Sequence, residues 1–358
     1  MNSGKKVFKK IGDRLLALKV DGFIVFNEKD LQYLLGFSSE GSLLLFSRKN
    51  NPVYFINQMN YTLAKKHLKE TSGCEVFSFS GSLFNAVNEY CNKKNLRKIA
   101  FNPQDVSVML YEKMRKMFKK KLIPVARAER FVDIISEIRQ IKTDREVEIL
   151  SLAGRKTVGI WRKARKNINV GLSEKAIALI LNDIIKDAGY TNSFPTIVAS
   201  GKNSAYPHAI PTLRKLKNGE HLLVDFGICF KGYCSDLTRT LDKGRINRQI
   251  MDFRKFVLQA RDIAIKKIKP GISIAAVVEQ VNEFFMKNGV SEYILHGLGH
   301  GVGLNVHESP FLSISNCDRF KKNMVITIEP GLYKEGVGGI REEDMVLVTE
   351  KGCEVLTI

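Results

Sequence analysis

Three of the six histidines in this 358-residue chain, His296, His300 and His307, fall within one glycine-rich stretch, HGLGHGVGLNVHESP. A histidine can hold a metal, move a proton near neutral pH or contact substrate. His296 and His300 stand four residues apart, a spacing that shares a helix face, but Gly297, Gly299, Gly301 and Gly303 argue against a helix. An extended or looped backbone passing close to a site is the better use of those glycines. On that reading His300 is a metal ligand, and His296 and His307 serve the substrate or stand behind the ligands. The plainer alternative, three hydrogen-bonded core histidines, leaves their clustering with glycines unexplained.

Four carboxylates extend the pattern. HLLVDFGICF (221–230) and YCSDLTRTL (233–241) read as two strands joined at Lys231-Gly232, with Asp225 and Asp236 eleven residues apart across the turn. An odd separation across a two-residue turn places them on one face as diagonal neighbours. Two such carboxylates repel, and Asp is disfavoured inside strands; a cation between them would offset both penalties. Glu329 ends the apolar run of MVITIEPGLY, and Glu343 begins that of GIREEDMVLVT. Oxygen-rich ligands with a single imidazole suit Mn²⁺, Fe²⁺, Co²⁺ or Zn²⁺. Four anionic ligands can neutralise two divalent ions, and two such ions can share and activate one water.

The elements that must position these groups can also be read. GFIVF (22–26), SLLLF (42–46) and PVYFI (52–56) are expected strands. Residues 106–121 are an expected amphipathic helix. Val7, Ile11, Leu15 and Leu18 put a helical stripe on the first segment. A domain boundary is expected near 136–145, followed by a helix capped by Thr143 and Glu146, with Trp161 on its apolar stripe. NVGLSEKAIALILNDIIKDAGY (169–190) is echoed by KPGISIAAVVEQVNEFFMKNGV (269–290), each with a Ser N-cap and a glycine at the helix end. A single duplication of that length predicts two similar halves packed about a pseudo-twofold axis.

Composition narrows the classes. Hydrophobic residues make up 44% and charged residues 26%, an ordinary soluble balance. No run approaches the ~20 apolar residues of a membrane span, and the first twenty residues lack the apolar block of a secretion signal. A cytoplasmic protein without a membrane partner is expected. The net charge of +20 raises a nucleic-acid reading. However, the lysines are dispersed, as at Lys119–Lys121 and Lys266, Lys267 and Lys269, with no recognition motif, so a solvated basic surface is expected and no nucleic-acid partner. The six cysteines form no C-x-x-C pair and are expected to be small buried hydrophobes.

VDFGICFKGYCSDLTRT, HGLGHGVGLNVHESP, ITIEPGLY and GIREEDMVLVT, in that order, resemble the successive motifs of the pita-bread metallopeptidases, over residues 145–355. DGFIVFNEKDLQYLLGF (21–37) is similar to the creatinase-type N-terminal domain, which favours the Xaa-Pro peptidases and creatinase over methionine aminopeptidases. The resemblance implies an α+β chain. A smaller creatinase-like α/β domain would occupy residues 1–138, and a pita-bread catalytic domain with pseudo-twofold halves residues 139–358. It implies two metal ions held by Asp225, Asp236, His300, Glu329 and Glu343, Mn²⁺ first, with Co²⁺, Zn²⁺ or Fe²⁺ as alternatives. Creatinase lacks this metal set. IVASGKNSAYPH (197–208) resembles the segment that supplies a substrate-facing histidine, here His208. His307 matches a second, His296 a third near the proline-side pocket, and Arg341 a support for a carboxylate. Glu342 stands where the family carries an aliphatic residue and is expected on the strand face away from the metals.

The function these readings imply is hydrolysis of the bond between an N-terminal residue and a following proline, an Xaa-Pro aminopeptidase. Glu329 would shuttle the proton, and His208 and His307 would stabilise the oxyanion. The partners implied are peptides with proline second and a second copy of the chain in a homodimer. The alternatives are an Xaa-Pro dipeptidase (prolidase) and, in another class, a non-catalytic binding protein on the same fold.

Overall fold

In the N-terminal unit the apolar runs become strands and the helical patterns between them become helices. The computed structural model describes residues 3–48, 50–68, 73–118, 121–124 and 134–358, and the chain divides into two units, Met1–Ile138 and Arg139–Ile358. The first holds β1 (Gly22–Val25), β2 (Leu43–Ser47), β3 (Val53–Asn57), β4 (Glu75–Phe79), β5 (Lys98–Phe101) and β6 (Lys121–Pro124), in the sheet order β4-β3-β2-β1-β5-β6. Burial on both faces explains the nearly continuous apolar runs. Phe23, Val25, Leu44, Phe46, Tyr54 and Ile56 enter one core, and the alternate residues Ile24, Leu43, Leu45, Val53 and Phe55 enter another. Residues of α1 (Ser3–Ala17), α2 (Glu28–Leu35) and α3 (Gln58–Leu68) join the first core. Those of α4 (Leu83–Lys93) and α5 (Val108–Phe118) join the second. α6 (Ile134–Gln140) follows.

Three sequence expectations shift here. On the first helix Ile11 and Leu15 are fully buried, but Leu18 lies past the helix end and is exposed. The helix expected over 106–121 is shorter, because Lys121 already pairs with Lys98 in the sheet; Lys119 and Lys120 lie outside the described residues. Of the cysteines, Cys91 and Cys234 are buried, whereas Cys317 is exposed.

The second unit repeats one pattern twice. Thr143 and Glu146 form the expected capping box at the start of α7 (Asp144–Ala164), and Trp161 is buried among Ile160, Ile177 and Phe226. α8 (Glu174–Asp187) follows α7, as α10 (Ile274–Lys287) follows α9 (Arg248–Lys267). The N–H of Gly171 donates to the Leu216 carbonyl as that of Gly271 donates to Phe320, at 2.8 and 2.9 Å. Ser173 bridges Lys215 as Ser273 bridges Arg319. Gly189 and Gly289 leave their helices with φ of +80° and +67°, the left-handed turn that favours glycine. One difference separates the copies: the Ser173 hydroxyl accepts from the Ala176 N–H, while the Ser273 side chain makes no cap bond.

The strands that follow complete the repeat. They are β7 (Thr191–Asn192), β8 (Ile197–Ser200), β9 (Glu220–Phe226), β10 (Ile228–Phe230), β11 (Tyr233–Cys234) and β12 (Leu237–Lys243) in the first half. The second half holds β13 (Gly299–Gly301), β14 (Glu308–Leu312), β15 (Val325–Ile328), β16 (Gly331–Lys334), β17 (Gly338–Arg341), β18 (Asp344–Val348) and β19 (Cys353–Val355). The sheets run β11-β10-β7, β12-β9-β8, β14-β13-β15-β18-β19 and β16-β17. β9 pairs antiparallel with β12, and β15 with β18. One acid therefore lies at the end of the first strand of each pair and another just before the second.

Candidate metal centre and active site

The hairpin register sets the first two acids. Asp225 pairs with Thr238 across β9 and β12, so Asp236 lies two residues off, on the diagonal the sequence predicts. Farther along the hairpin the Ile228 N–H donates to the Ser235 hydroxyl at 2.8 Å, and the chain turns at Lys231 and Gly232, both with positive φ. In the second pair, Ile328 faces Asp344, so Glu329 and Glu343 leave the ladder side by side. Asp225, Asp236 and Glu343 are buried, and each offers an oxygen within 4.8 Å of the others; His300, Glu329 and Glu343 form a second such group, and Asp236, His300 and His307 a third.

The glycines around His300 have a steric reason. β13 is squeezed between β14 and β15. A Cβ on Gly299 would sit 2.1 Å from the Thr327 carbonyl oxygen, and one on Gly301 2.4 Å from that of Ser309. Gly299 also carries a φ of +157°. The His300 backbone N–H donates to Thr327 Oγ1 at 3.1 Å. Its ring Nδ1 lies 3.1 Å from the Gly301 carbonyl, and Nε2 faces Glu329 at 3.3 Å and Asp236 at 3.8 Å. The carbonyl can only accept, so Nδ1 carries a proton and Nε2 is the nitrogen turned to the acids.

The electrostatics fit a cation. Burial, and then Glu343, Asp225 and Glu329, push the Asp236 carboxyl well above the ordinary range. Burial and the neighbouring acids do the same to Glu343. Burial raises Asp225 too, against the opposing pull of Arg341. For Glu329 burial is outweighed by the hydrogen bond and charge of His300, and its carboxyl falls below the usual range. Among the described residues Asp225 Oδ1 is buried without a hydrogen-bond partner. An orphaned carboxylate oxygen beside acids that repel one another suits a divalent ion.

Behind the acids runs a hydrogen-bond chain that the sequence reading only touched. Arg341 Nη2 donates to Asp225 Oδ2 at 2.6 Å, Nη1 to the Tyr333 hydroxyl at 2.6 Å, and Nε to Thr238 Oγ1 at 3.1 Å. Thr238 Oγ1 donates to Glu343 at 2.8 Å. Tyr333 accepts from Arg341, so its single proton goes to His296 Nε2, 2.7 Å away. His296 must then carry its own proton on Nδ1, which lies 2.8 Å from the Gly297 carbonyl. Burial lowers the His296 pKa, in keeping with that neutral ring, and raises the Tyr333 pKa to about 12. Tyr333 and Thr238 were not singled out from sequence; their signal was proximity, four residues past Glu329 and two past Asp236. Glu308, next to His307, was also missed: it is buried against Lys142, at 2.7 Å, and Arg139.

One cavity of ≈ 510 Å³ gathers all nine site residues named from sequence: His208, Asp225, Asp236, His296, His300, His307, Glu329, Arg341 and Glu343. His208 and His307 are exposed, and the His307 ring packs edge-on to His300 with centroids 4.3 Å apart. Burial, then His300, lowers the His307 pKa. Phe194, Pro195, Ile197, Ile210, Pro211 and Phe311 make the rest of the wall largely apolar. Glu342 points elsewhere: its Oε1 accepts the Thr240 N–H at 3.1 Å, and burial lifts its pKa to about 7.

Residues 148–350 match the profile of metallopeptidase family M24, and residues 8–141 that of the creatinase/prolidase N-terminal domain. A Staphylococcus aureus (strain bovine RF122 / ET3-1) protein, named an uncharacterized peptidase, is 31% identical over 358 residues, covering 97% of each chain. The fold matches an Xaa-Pro dipeptidase from Bacillus anthracis with a TM-score of 0.93 at 27% identity, covering 99% of this chain and 98% of that one. It matches an X-Pro aminopeptidase from Thermotoga maritima MSB8 with a TM-score of 0.85 at 30% identity, covering 97% and 98%.

Proposed function

The chain belongs to metallopeptidase family M24, and from that premise we propose that it is an Xaa-Pro aminopeptidase. It removes an N-terminal residue that precedes proline from peptides longer than a dipeptide. The proline preference is supported by the solved structures it resembles, an Xaa-Pro dipeptidase and an X-Pro aminopeptidase, and by the apolar cavity wall. An Xaa-Pro amide has no N–H, so its pocket needs no acceptor at that nitrogen.

The observation that carries the choice of peptide length is the state of the cavity's cation. Among the described residues lining the cavity, Arg341 is the only Lys or Arg, and it is engaged by Asp225, Tyr333 and Thr238. A dipeptide would place its carboxylate beside the proline ring, where a dedicated cation would be expected. A longer peptide carries no charge there.

Asp225, Asp236, His300, Glu329 and Glu343 would hold two divalent ions, Mn²⁺ first, with Co²⁺, Zn²⁺ or Fe²⁺ as alternatives. Such ions supply Lewis acidity, lowering the pKa of a water and polarising a carbonyl. Glu329 takes the proton from the attacking water and delivers it to the proline nitrogen as the C–N bond breaks. His208 and His307 donate N–H to the oxygen that gains charge. Arg341 holds Asp225 in place, and His296, fixed as a neutral ring by Tyr333, lines the substrate side. A homodimer in the cytoplasm is the working form we propose; among the described residues no helix is long and apolar enough to cross a membrane.

The test is a peptide panel assayed with Mn²⁺, Co²⁺ and Zn²⁺ added in turn. Release of the first residue from Xaa-Pro tripeptides and longer peptides is expected. Activity confined to Xaa-Pro dipeptides would overturn the aminopeptidase reading, and no cleavage of any Xaa-Pro bond would overturn the peptidase reading itself.

A further inference from the structure

We propose that Glu174, remote from the acids in sequence and absent from the cavity wall, is a positioning residue that holds His208 in place. The proposal rests on the reading of His208 as a group acting on the scissile carbonyl. Glu174 opens α8 and is fully buried. Its Oε1 accepts from the Ser200 N–H and hydroxyl, each at 2.8 Å, and from Asn203 Nδ2 at 3.1 Å. Its Oε2 accepts from Asn203 Nδ2 at 3.1 Å, the Thr212 N–H at 3.0 Å and the Thr212 hydroxyl at 2.6 Å. One carboxylate thus ties together both stems and an inner residue of the segment 200–212. Burial alone would raise its pKa, but these donors hold it below the ordinary range.

That segment is the cavity wall. Pro207, His208, Ala209, Ile210 and Pro211 all line the cavity. His208 and Ile210 are exposed, so packing does little to fix them. Past the stems, the segment is tied to the rest of the site by Arg341 Nη1, which donates to the Pro207 carbonyl at 3.3 Å, and by Ser204, whose hydroxyl accepts from the Gly339 N–H at 2.8 Å. Every group facing Glu174 in these bonds is a donor. An ionised carboxylate accepts them all; an amide in its place would turn an NH₂ toward donors and release one stem.

The experiment compares Glu174→Gln, His208→Ala and the double variant in the full-length, metal-reconstituted chain. Each is followed by kcat and KM on an Xaa-Pro peptide and by thermal unfolding. Misplacing a catalytic group by ~1 Å lowers turnover by about 10²-fold. Glu174→Gln should therefore lower kcat by about 10- to 10²-fold with little change in KM. In the His208→Ala background it should lower kcat no further, since the group it positions is gone. Thr212→Val removes one donor without touching the carboxylate. It should show the same dependence on His208 at smaller size, and it carries the test where Glu174→Gln does not fold. Equal losses in both backgrounds, or no loss, would overturn the inference. Wild-type kcat in His208→Ala alone would overturn the reading of His208 and this inference with it, a pattern distinct from equal losses.

Discussion

Replacing Glu308 with Gln should unfold the second unit far more readily, for reasons separate from metal binding. The Glu308 side chain is 8% exposed, and its partners Lys142 and Arg139 are 1% and 7% exposed. Burial favours the neutral acid, but the two cations hold the Glu308 carboxyl below the ordinary range. Removing its charge leaves two buried cations facing an amide. Breaking a buried ion pair from one side costs about 3–5 kcal/mol. At ~2–4 °C per kcal/mol for a domain of this size, Tm should fall by about 6–20 °C. Scanning calorimetry of wild type and Glu308→Gln, with metal and with chelator, reads this directly, and the difference should be the same in both conditions. The pH dependence has a definite sign. A folded pKa below the unfolded value of about 4.3 gives stability that is present above that pH and lost as pH falls through the folded pKa. The gap between wild type and variant should close in acid. A loss below ~1 kcal/mol, the scale of an exposed pair, or a gap that widens as pH falls, would refute the reasoning.

Arg341→Met should weaken Mn²⁺ binding by about 10- to 100-fold, as loss of a group behind a ligand does, because Asp225 loses its 2.6 Å hydrogen bond; calorimetric titration showing unchanged affinity would count against it. His221 is buried beside Ser204, and burial, then Arg254, lowers its pKa to about 4. Its unfolded value is about 6.5, so its neutral form contributes stability above that pH, and the contribution is lost as pH falls toward 4. Chemical denaturation should show wild type losing more stability than His221→Gln over that interval; parallel curves would contradict this.

How much was legible in the sequence differs by element. The strand runs of the first unit were readable because both faces of its sheet are buried, which writes burial into the first four residues of β2 and of β3. Asp225 and Asp236 were readable because a two-residue turn fixes register, so their separation alone placed them on one diagonal. The capping box at Thr143 and the repeated glycines at 171 and 271 were readable because each depends on a local backbone need. The end of α5 was not, since Lys121 obeys a sheet partner more than twenty residues back. Tyr333 and Thr238 stand near the acids in sequence, but their hydrogen bonds, like the Glu308–Lys142–Arg139 cluster, were not legible for the same reason. Their partners are brought in by tertiary folding, and no spacing encodes a hydrogen bond between residues 139 and 308. Glu174 sits in the first turn of its helix, an ordinary place for an acid, so nothing local signals its bonds to residues 200–212.

The most direct test of the central claim, that five side chains carried in or beside separate strands face a common pair of cations, is metal stoichiometry. Purified chain, stripped with chelator, reconstituted with Mn²⁺ and cleared of excess, is analysed by elemental mass spectrometry alongside Asp236→Asn. Two tightly held ions per chain in the wild type, with clear loss in the folded variant, is the expected result. A wild-type chain that retains no divalent ion after reconstitution, or an Asp236→Asn variant that holds two as firmly, would contradict the account.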